Sequence, residues 1–497
     1  MHMPPYENLA ALVVESIKNK PLAPVVWEDG EGVFAGTFLN WVANRQAHLV
    51  DYNVKTGDHV LVCNGRGVRF WADMLAVWAS GAVAIPFDIE MSATNAQSLI
   101  ERVIPKLAIT DMESVPATLT AACAVVTDVP SSDEQAELKI VQGMSGKTAS
   151  ILFTSGSTGL PKGVVQKHSA LIGNALATQK RLSMRWEDRL FMATPFVFVS
   201  ALSHFLVCMI GGGTFIPTEK KLFKGDLAKA LVRSNANCFG GAPVQVRWIA
   251  EISCEKPLHL NWLMSSGDHM GTDIIKMVEA LKPEIRLFTV YGMTELGGRF
   301  CILDPTELKS ASGSVGVPIE GLEFSIRDEI DLRVLPEGEI GEVIANGSYL
   351  FAGYYKDEES TAECMTEFGM RTGDVGYFDR DGRLYLRGRN DDVFKNSGKK
   401  VSVLPISEAL METGYFEDVA VAGQAHSMWG HVPHVFFKAL PGRELDKRAV
   451  MMALREKLPA NHLPSGFTEV DAIPRTGSGK IKRAWLRDVV ARLGPAG

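Results

Sequence analysis

Short runs of β-branched and aliphatic residues alternate with stretches of helical periodicity along most of the chain, and this alternation restricts the fold more than any other feature. Val60-Leu-Val-Cys63 precedes a helical stretch from Phe70 to Ala79, and Ala82-Val-Ala-Ile85 follows it. That spacing predicts βαβ units and a mostly parallel sheet. The pattern recurs at Lys106–Ile109, Ala124–Val126, Ala149–Phe153, Arg189–Met192 and Leu258–Met264, which is enough strands for two doubly wound αβ layers. After about residue 320 the strands shorten and turn signals appear, at Pro336-Glu-Gly338 and at Asp379-Arg-Asp-Gly382 inside a hairpin pattern from Val375 to Leu386. A small β-rich unit is expected there, about 320–388. Past the charged stretch Arg387-Gly-Arg-Asn-Asp-Asp392, helix and strand mix again. The expected fold is therefore α/β, with a large N-terminal body over 1–388, a hinge at Asp391 and a small α+β domain over 389–497.

A chain of 497 residues, 46% hydrophobic and 22% charged, can bury sizeable cores, which excludes fibrous and disordered classes. The formal net charge of −7 argues against affinity for nucleic-acid phosphates. The seven cysteines, at 63, 123, 208, 238, 254, 301 and 364, form no Cys-x-x-Cys pair, so reduced thiols and a cytoplasmic location are expected. The start, Met1-His-Met-Pro-Pro-Tyr6, lacks the apolar region of a secretory signal. The apolar stretch from Phe196 to Ile210 is shorter than the roughly 18–20 residues a bilayer requires and contains Ser200, Ser203 and His204. It reads as buried core, and no transmembrane segment is expected.

The most specific segment is Ile151-Leu-Phe-Thr-Ser-Gly-Ser-Thr-Gly-Leu-Pro-Lys-Gly163, a buried strand entering a loop before the helix-like Ala170 to Arg181. Gly156, Gly159 and Gly163 let backbone N–H groups approach a phosphate chain, Ser155, Ser157 and Thr158 add donors, and Lys162 adds charge. A triphosphate is the expected occupant. The loop is not a Walker A motif, because Pro161 precedes Lys162 and Gly163 stands where a hydroxyl residue is required. Arg475-Thr-Gly-Ser-Gly-Lys480-Ile481 fails the same test at both ends.

Taken with the other motifs, this segment resembles the adenylate-forming superfamily of acyl-CoA synthetases, peptide-synthetase adenylation domains and luciferases. The resemblance is carried, in order, by Thr154 to Gly163, Tyr291-Gly-Met-Thr-Glu295, Gly341-Glu-Val343 through Gly353-Tyr354, Arg371-Thr-Gly-Asp374, Gly388-Arg389 with Asp391, and Pro474 to Lys480. It runs from roughly residue 30 to 485. The implied activity is attack of a carboxylate on the α-phosphorus of ATP, giving an acyl-adenylate and pyrophosphate, and then transfer of the acyl group to a thiol.

The resemblance places the nucleotide on Thr154, Ser155, Gly156, Ser157, Thr158, Gly159, Lys162, Tyr291, Gly292, Asp374 and Arg389, with Asp374 on the ribose hydroxyls. Thr294 would meet the α-phosphate, Glu295 would hold Mg²⁺, and Lys480 would stabilise charge at the reacting carboxylate. The small domain is then mobile, swinging about Asp391 to exchange Lys480 for a thiol-binding face at Ser397, Gly398, Lys399 and Lys400. Coenzyme A is the expected acceptor. Carrier-protein phosphopantetheine is the rival, and a nucleotide sensor without turnover is the alternative from another class. A homodimer is compatible with this reading.

Two features set this chain apart from the family pattern. Where many members have Gly-x-Lys-Val-Ser-Pro-x-Glu-Ile-Glu, this chain has Val403 for the proline and Pro405 and Ser407 for two glutamates, which predicts a shifted helix start. The acyl pocket is assigned to Phe196, Phe198, Gly267 and Met293. Phe196-Val-Phe198 offers no acid for an α-ammonium, so an apolar or aromatic carboxylic acid is favoured over an amino acid. Gly240-Gly-Ala-Pro243 and Ser265 to His269 are expected to border the site, with Asp268 and His269 as candidates for a polar acyl group. His426, His431 and His434 lie in a strand-like stretch and are read as structural.

Overall fold

The computed structural model describes residues 6–20, 23–28, 30–63, 65, 67–110, 117–127, 136–154, 161–218, 220, 222–255, 258–281, 285–475 and 481–496. A six-stranded sheet runs Ala124–Val126, Leu107–Ile109, His59–Cys63, Val83–Phe87, Thr148–Thr154 and Lys162–Lys167; only the last strand is antiparallel to its neighbour. A nine-stranded sheet forms the second layer. Its parallel centre contains Arg286–Tyr291, Trp262–Ser265, Cys238–Gly241, Arg189–Met192, Thr214–Pro217 and Val26–Glu28. Between the layers lie Arg69–Ala79 and Val199–Ile210, helices apolar almost all round; Trp71 stacks on Phe205 at 4.6 Å between ring centroids. Such helices are stable only when covered on both sides.

The Arg189–Met192 strand lies between the later strands Thr214–Pro217 on one side and Cys238–Gly241 on the other. Strand order reverses there, and open α/β sheets bind ligands in the crevice at such carboxyl ends. The segments leaving those ends are Ala193–Phe198, Ala242–Pro243, Ser266–His269 and Gly292–Glu295. Residues predicted to border one site therefore leave adjacent strands at the same edge.

A five-stranded antiparallel sheet follows, containing the Gly369–Phe378 and Leu384–Arg389 hairpin closed at Asp379–Gly382. After the short helix Asn390–Asp392, a further five-stranded sheet with the helices Val403–Glu412, Lys447–Lys457 and Arg483–Leu493 forms a separate core around Val401, Leu410, Val435 and Leu454.

One expectation needs correction. The strand predicted from Leu258 begins only at Trp262, where pairing with Cys238 starts; Leu258 and Leu260 are buried by packing without a ladder. The helix after the Lys399–Ser402 strand starts at Val403 in spite of Pro405. Ser402 caps it by accepting from the Leu404 N–H at 3.4 Å, and Pro405 falls in the first turn, where an N–H has no intrahelical acceptor to lose.

Candidate active site

Tyr291 ends its strand facing the Gly369–Phe378 strand, and its hydroxyl donates to Oδ2 of the buried Asp374. Arg389, opposite Asp374 in the hairpin register, places Nε 3.1 Å from Oδ1. Each carboxylate oxygen thus holds one donor. Asp374 in turn raises the pKa of Arg389, and burial followed by the same carboxylate raises Tyr291 well above the usual phenol value. The phenol therefore stays a neutral donor to the carboxylate.

The chain Gly292–Gly298 is folded tightly on itself. A Cβ at Gly292 would lie 1.9 Å from the Gly298 carbonyl oxygen, so only glycine fits. Thr294 and Glu295 sit in a short 3₁₀ turn fixed from below: Gln166 Nε2 donates to the Thr294 carbonyl, and Asn174 Nδ2 donates to those of Leu296 at 2.9 Å and Arg299 at 2.6 Å. The Tyr354 hydroxyl donates to Glu295 Oε1 at 2.8 Å, and burial, then Glu295, raises that phenol as well. Tyr354 is delivered because Gly353 to Tyr355 pair with the edge strand at Gly163 and Val165. Lys162 stands 5.0 Å from the Tyr354 ring centroid and donates to Ser360 at 2.8 Å. Lys162, Tyr354 and Glu295 thus form one polar group and Tyr291, Asp374 and Arg389 a second, and the Arg389 charge acts on both Glu295 and Tyr354.

Thr154 ends its strand, with Oγ1 donating to the Lys162 carbonyl at 3.4 Å. Ser155, Gly156, Ser157, Thr158, Gly159 and Lys480 lie outside the described residues. Their flanks are described: Arg475 bridges Ile481, the Lys482 N–H donates to the Pro474 carbonyl at 2.8 Å, and Arg475 reaches Asp268 of the large body at 3.7 Å. Asp268 and His269, considered above as acyl contacts, instead meet the small domain; His269 lies 2.5 Å from Glu408, and Thr272 donates to Glu412 at 3.0 Å. Phe196 is 1% exposed and wedged against Phe70 and Trp71, so it packs as core, whereas Phe198 precedes the helix at the crevice edge. Met293 packs partly buried against the same core, and Gly267 is exposed with φ +96°.

Ser397 and Gly398, with φ of 53° and 77°, form the turn of a small-domain hairpin and are exposed with Lys399, beside Trp429, whose carbonyl accepts from the Ser397 N–H at 2.9 Å. Lys400 pairs with Lys395 in that hairpin. Asp391 lies in the Asn390–Asp392 turn joining the two units. His434 has both ring nitrogens engaged, by Gln424 at 3.0 Å and Thr468 at 2.8 Å, and His426 Nδ1 accepts from the Met428 N–H.

Sequence reasoning missed Gln166, Asn174 and Arg299, and gave Tyr354 no role. The first two are ordinary amides on a strand and a helix, and the sequence carries no signal for which loop they hold. Arg299 was findable as a charge standing directly before the apolar run Phe300-Cys-Ile-Leu303.

No helix among the described residues is long and apolar enough to cross a membrane. A family model described as AMP-binding enzyme matches residues 36–355, and one described as AMP-binding enzyme C-terminal domain matches 406–480. The chain is 26% identical over 474 residues to a naringenin synthase of Pestalotiopsis fici, covering 88% of this chain but only 17% of that protein. It is 25% identical over 452 residues to a 2-succinylbenzoate–CoA ligase of Bacillus cereus, covering 90% and 91% of the two chains. Among solved structures, ATP-bound MatB of Rhodopseudomonas palustris superposes with a TM-score of 0.89 at 22% identity, covering 98% and 99%. The anthranilate CoA ligase AuaEII with anthranoyl-AMP gives 0.89 at 19%, covering 98% of each chain. With one family model spanning most of the large body and the other most of the small domain, the chain belongs to the AMP-binding enzymes, the adenylate-forming superfamily.

Proposed function

We propose that this protein is an ATP- and Mg²⁺-dependent acid–thiol ligase, which converts a carboxylic acid to its acyl-adenylate with release of pyrophosphate and passes the acyl group to coenzyme A. The observation that carries the reading is the approach of two polar groups from separate segments, Lys162 with Tyr354 and Glu295, and Asp374 with Arg389, coupled electrostatically through Arg389. Lys162 and the preceding loop hold the phosphates, Asp374 takes the ribose, and Thr294 meets the α-phosphate. Among the described residues no three His, Cys, Asp or Glu side chains converge, so the donor set fitting Mg²⁺ is Glu295 Oε2 with substrate phosphate oxygens. When bound, the ion neutralises phosphate charge. Tyr354 holds the other Glu295 oxygen and so fixes the carboxylate's orientation.

Lys480 is the mobile cation for the reacting carboxylate. Its support is Arg475, just upstream, which meets Asp268 beside the crevice. The body 1–388 carries both nucleotide and acid, and the domain 389–497 turns about Asp391 to bring Ser397, Gly398, Lys399 and Lys400 to the thiol. An apolar or aromatic acid body suits Phe198 and Met293. All seven cysteines are free, which suits the cytoplasm.

Similarity to a segment of a far longer synthase favours a second acceptor, the phosphopantetheine of a carrier protein. The test is acid-dependent exchange of labelled pyrophosphate into ATP over a broad acid panel, followed by acceptor competition. Exchange should occur and should fall at least about 100-fold in Lys480→Ala. ATP binding without exchange for any acid would leave a nucleotide sensor. Carrier loading without acyl-CoA formation would replace the acceptor.

A further inference from the structure

Behind the Gly297-Gly298 turn lies a group of buried polar atoms that the proposed nucleotide chemistry does not use. Arg299 is 3% exposed, and its Nη1 donates to the Ser203 carbonyl at 3.3 Å, while Nη2 is buried with no partner. No acidic side chain among the described residues pairs with it. Ser203, 2% exposed, has an unpartnered Oγ, and a Cβ on Gly298 would lie 3.3 Å from it. His204 donates from Nδ1 to the Ser200 carbonyl at 2.6 Å, and its Nε2 lies so close to Gly240 that a Cβ there would be 2.0 Å away. Burial, then Arg299, holds that imidazole well below its usual range, so it stays neutral and adds no second charge. Burial alone pushes Arg299 down to about 9, so the guanidinium is still charged at neutral pH.

A buried cation without a counter-ion costs several kcal/mol, and an unmade buried hydrogen bond adds to this. The position is informative. Arg299 joins the loop carrying Thr294 and Glu295 to the helix Val199–Ile210 that starts directly after Phe198, and the segments it spans are the two expected to hold the acid. We propose that Arg299 and Ser203 form an anion subsite for a second, distal acidic group on the acyl substrate, making the preferred substrate an apolar or aromatic acid that carries a further carboxylate.

This rests on the acid-activating reading, so the test separates the two. Calorimetric binding, in the presence of a non-hydrolysable ATP analogue, compares matched pairs on the full-length protein: hexanoate with adipate, benzoate with terephthalate, phenylacetate with its para-carboxylate. The diacid of at least one pair should bind about 10- to 100-fold more tightly than its partner. Arg299→Met should erase that preference, and Arg299→Lys should restore part of it. Equal affinities within every pair, no binding by any acid, or a preference that survives Arg299→Met would overturn the proposal; the wild-type comparison stands even if a variant fails to fold. Diacid preference without pyrophosphate exchange would keep the subsite and sink the ligase.

Discussion

Among the described residues of the large body two arginines are buried, Arg45 and Arg299, and they differ in one respect. Arg45, on the helix Ala35–Asp51, is 0% exposed and places Nε 2.7 Å from Asp73 of the neighbouring helix Arg69–Ala79. Arg299 is equally hidden but meets only a backbone carbonyl. The first charge is balanced within the fold and ties two helices together. The second is unbalanced in a loop whose other members, Thr294 and Glu295, are held rigidly by Gln166 and Asn174. A buried ion neutralised by its own chain belongs to the scaffold, and one left unneutralised beside a crevice points to a ligand that supplies the missing charge.

Substitutions that change one side of this comparison give opposite results. Asp73→Ala removes the carboxylate that Arg45 meets at 2.7 Å and should cost about 3–5 kcal/mol in denaturant unfolding, with a matching loss of soluble protein. Arg299→Met removes a charge that has no partner, so the ligand-free protein should gain about 1–4 kcal/mol by the same measurement. A loss there of the size seen for Asp73→Ala would mean that Arg299 is a structural ion after all. Tyr354→Phe removes the one donor that Glu295 Oε1 accepts from. It should lower kcat/KM for pyrophosphate exchange roughly 5- to 10-fold, about 1 kcal/mol, with little change in stability.

That Asp374 and Arg389 lie near each other was legible because their motifs fall in one short hairpin. Arg371-Thr-Gly-Asp374 and Gly388-Arg389 fall on paired strands of that hairpin, but strict alternation from its turn would set Asp374 opposite Gly388, and a bulge between Val375 and Gly376 moves it opposite Arg389. Residues 155–159 of the hydroxyl loop lie outside the described residues. The segments at the crevice edge were not legible in this way. Phe196 and Phe198 look alike in sequence, yet one is sealed against Trp71 and the other stands at the head of a helix. Asp268 and His269 looked like pocket residues because nothing local reveals that Arg475 and Glu408 lie opposite. Leu258-His-Leu260 alternates like a strand, but a strand needs a neighbour in register, and Cys238 begins pairing only at Trp262.

Periodicity and local chemistry determined the layered α/β body, the small β-rich unit, the second domain and the residue types able to hold a nucleotide, because each depends on neighbours along the chain. Tertiary packing alone decided that Tyr354 would steady Glu295, that Gln166 and Asn174 would clamp the turn of Thr294 and Glu295, and that Arg299 would be buried without a counter-ion. A hydrogen bond or an ion pair is a property of two groups, and when those groups lie a hundred residues apart the chain records each without recording that they meet.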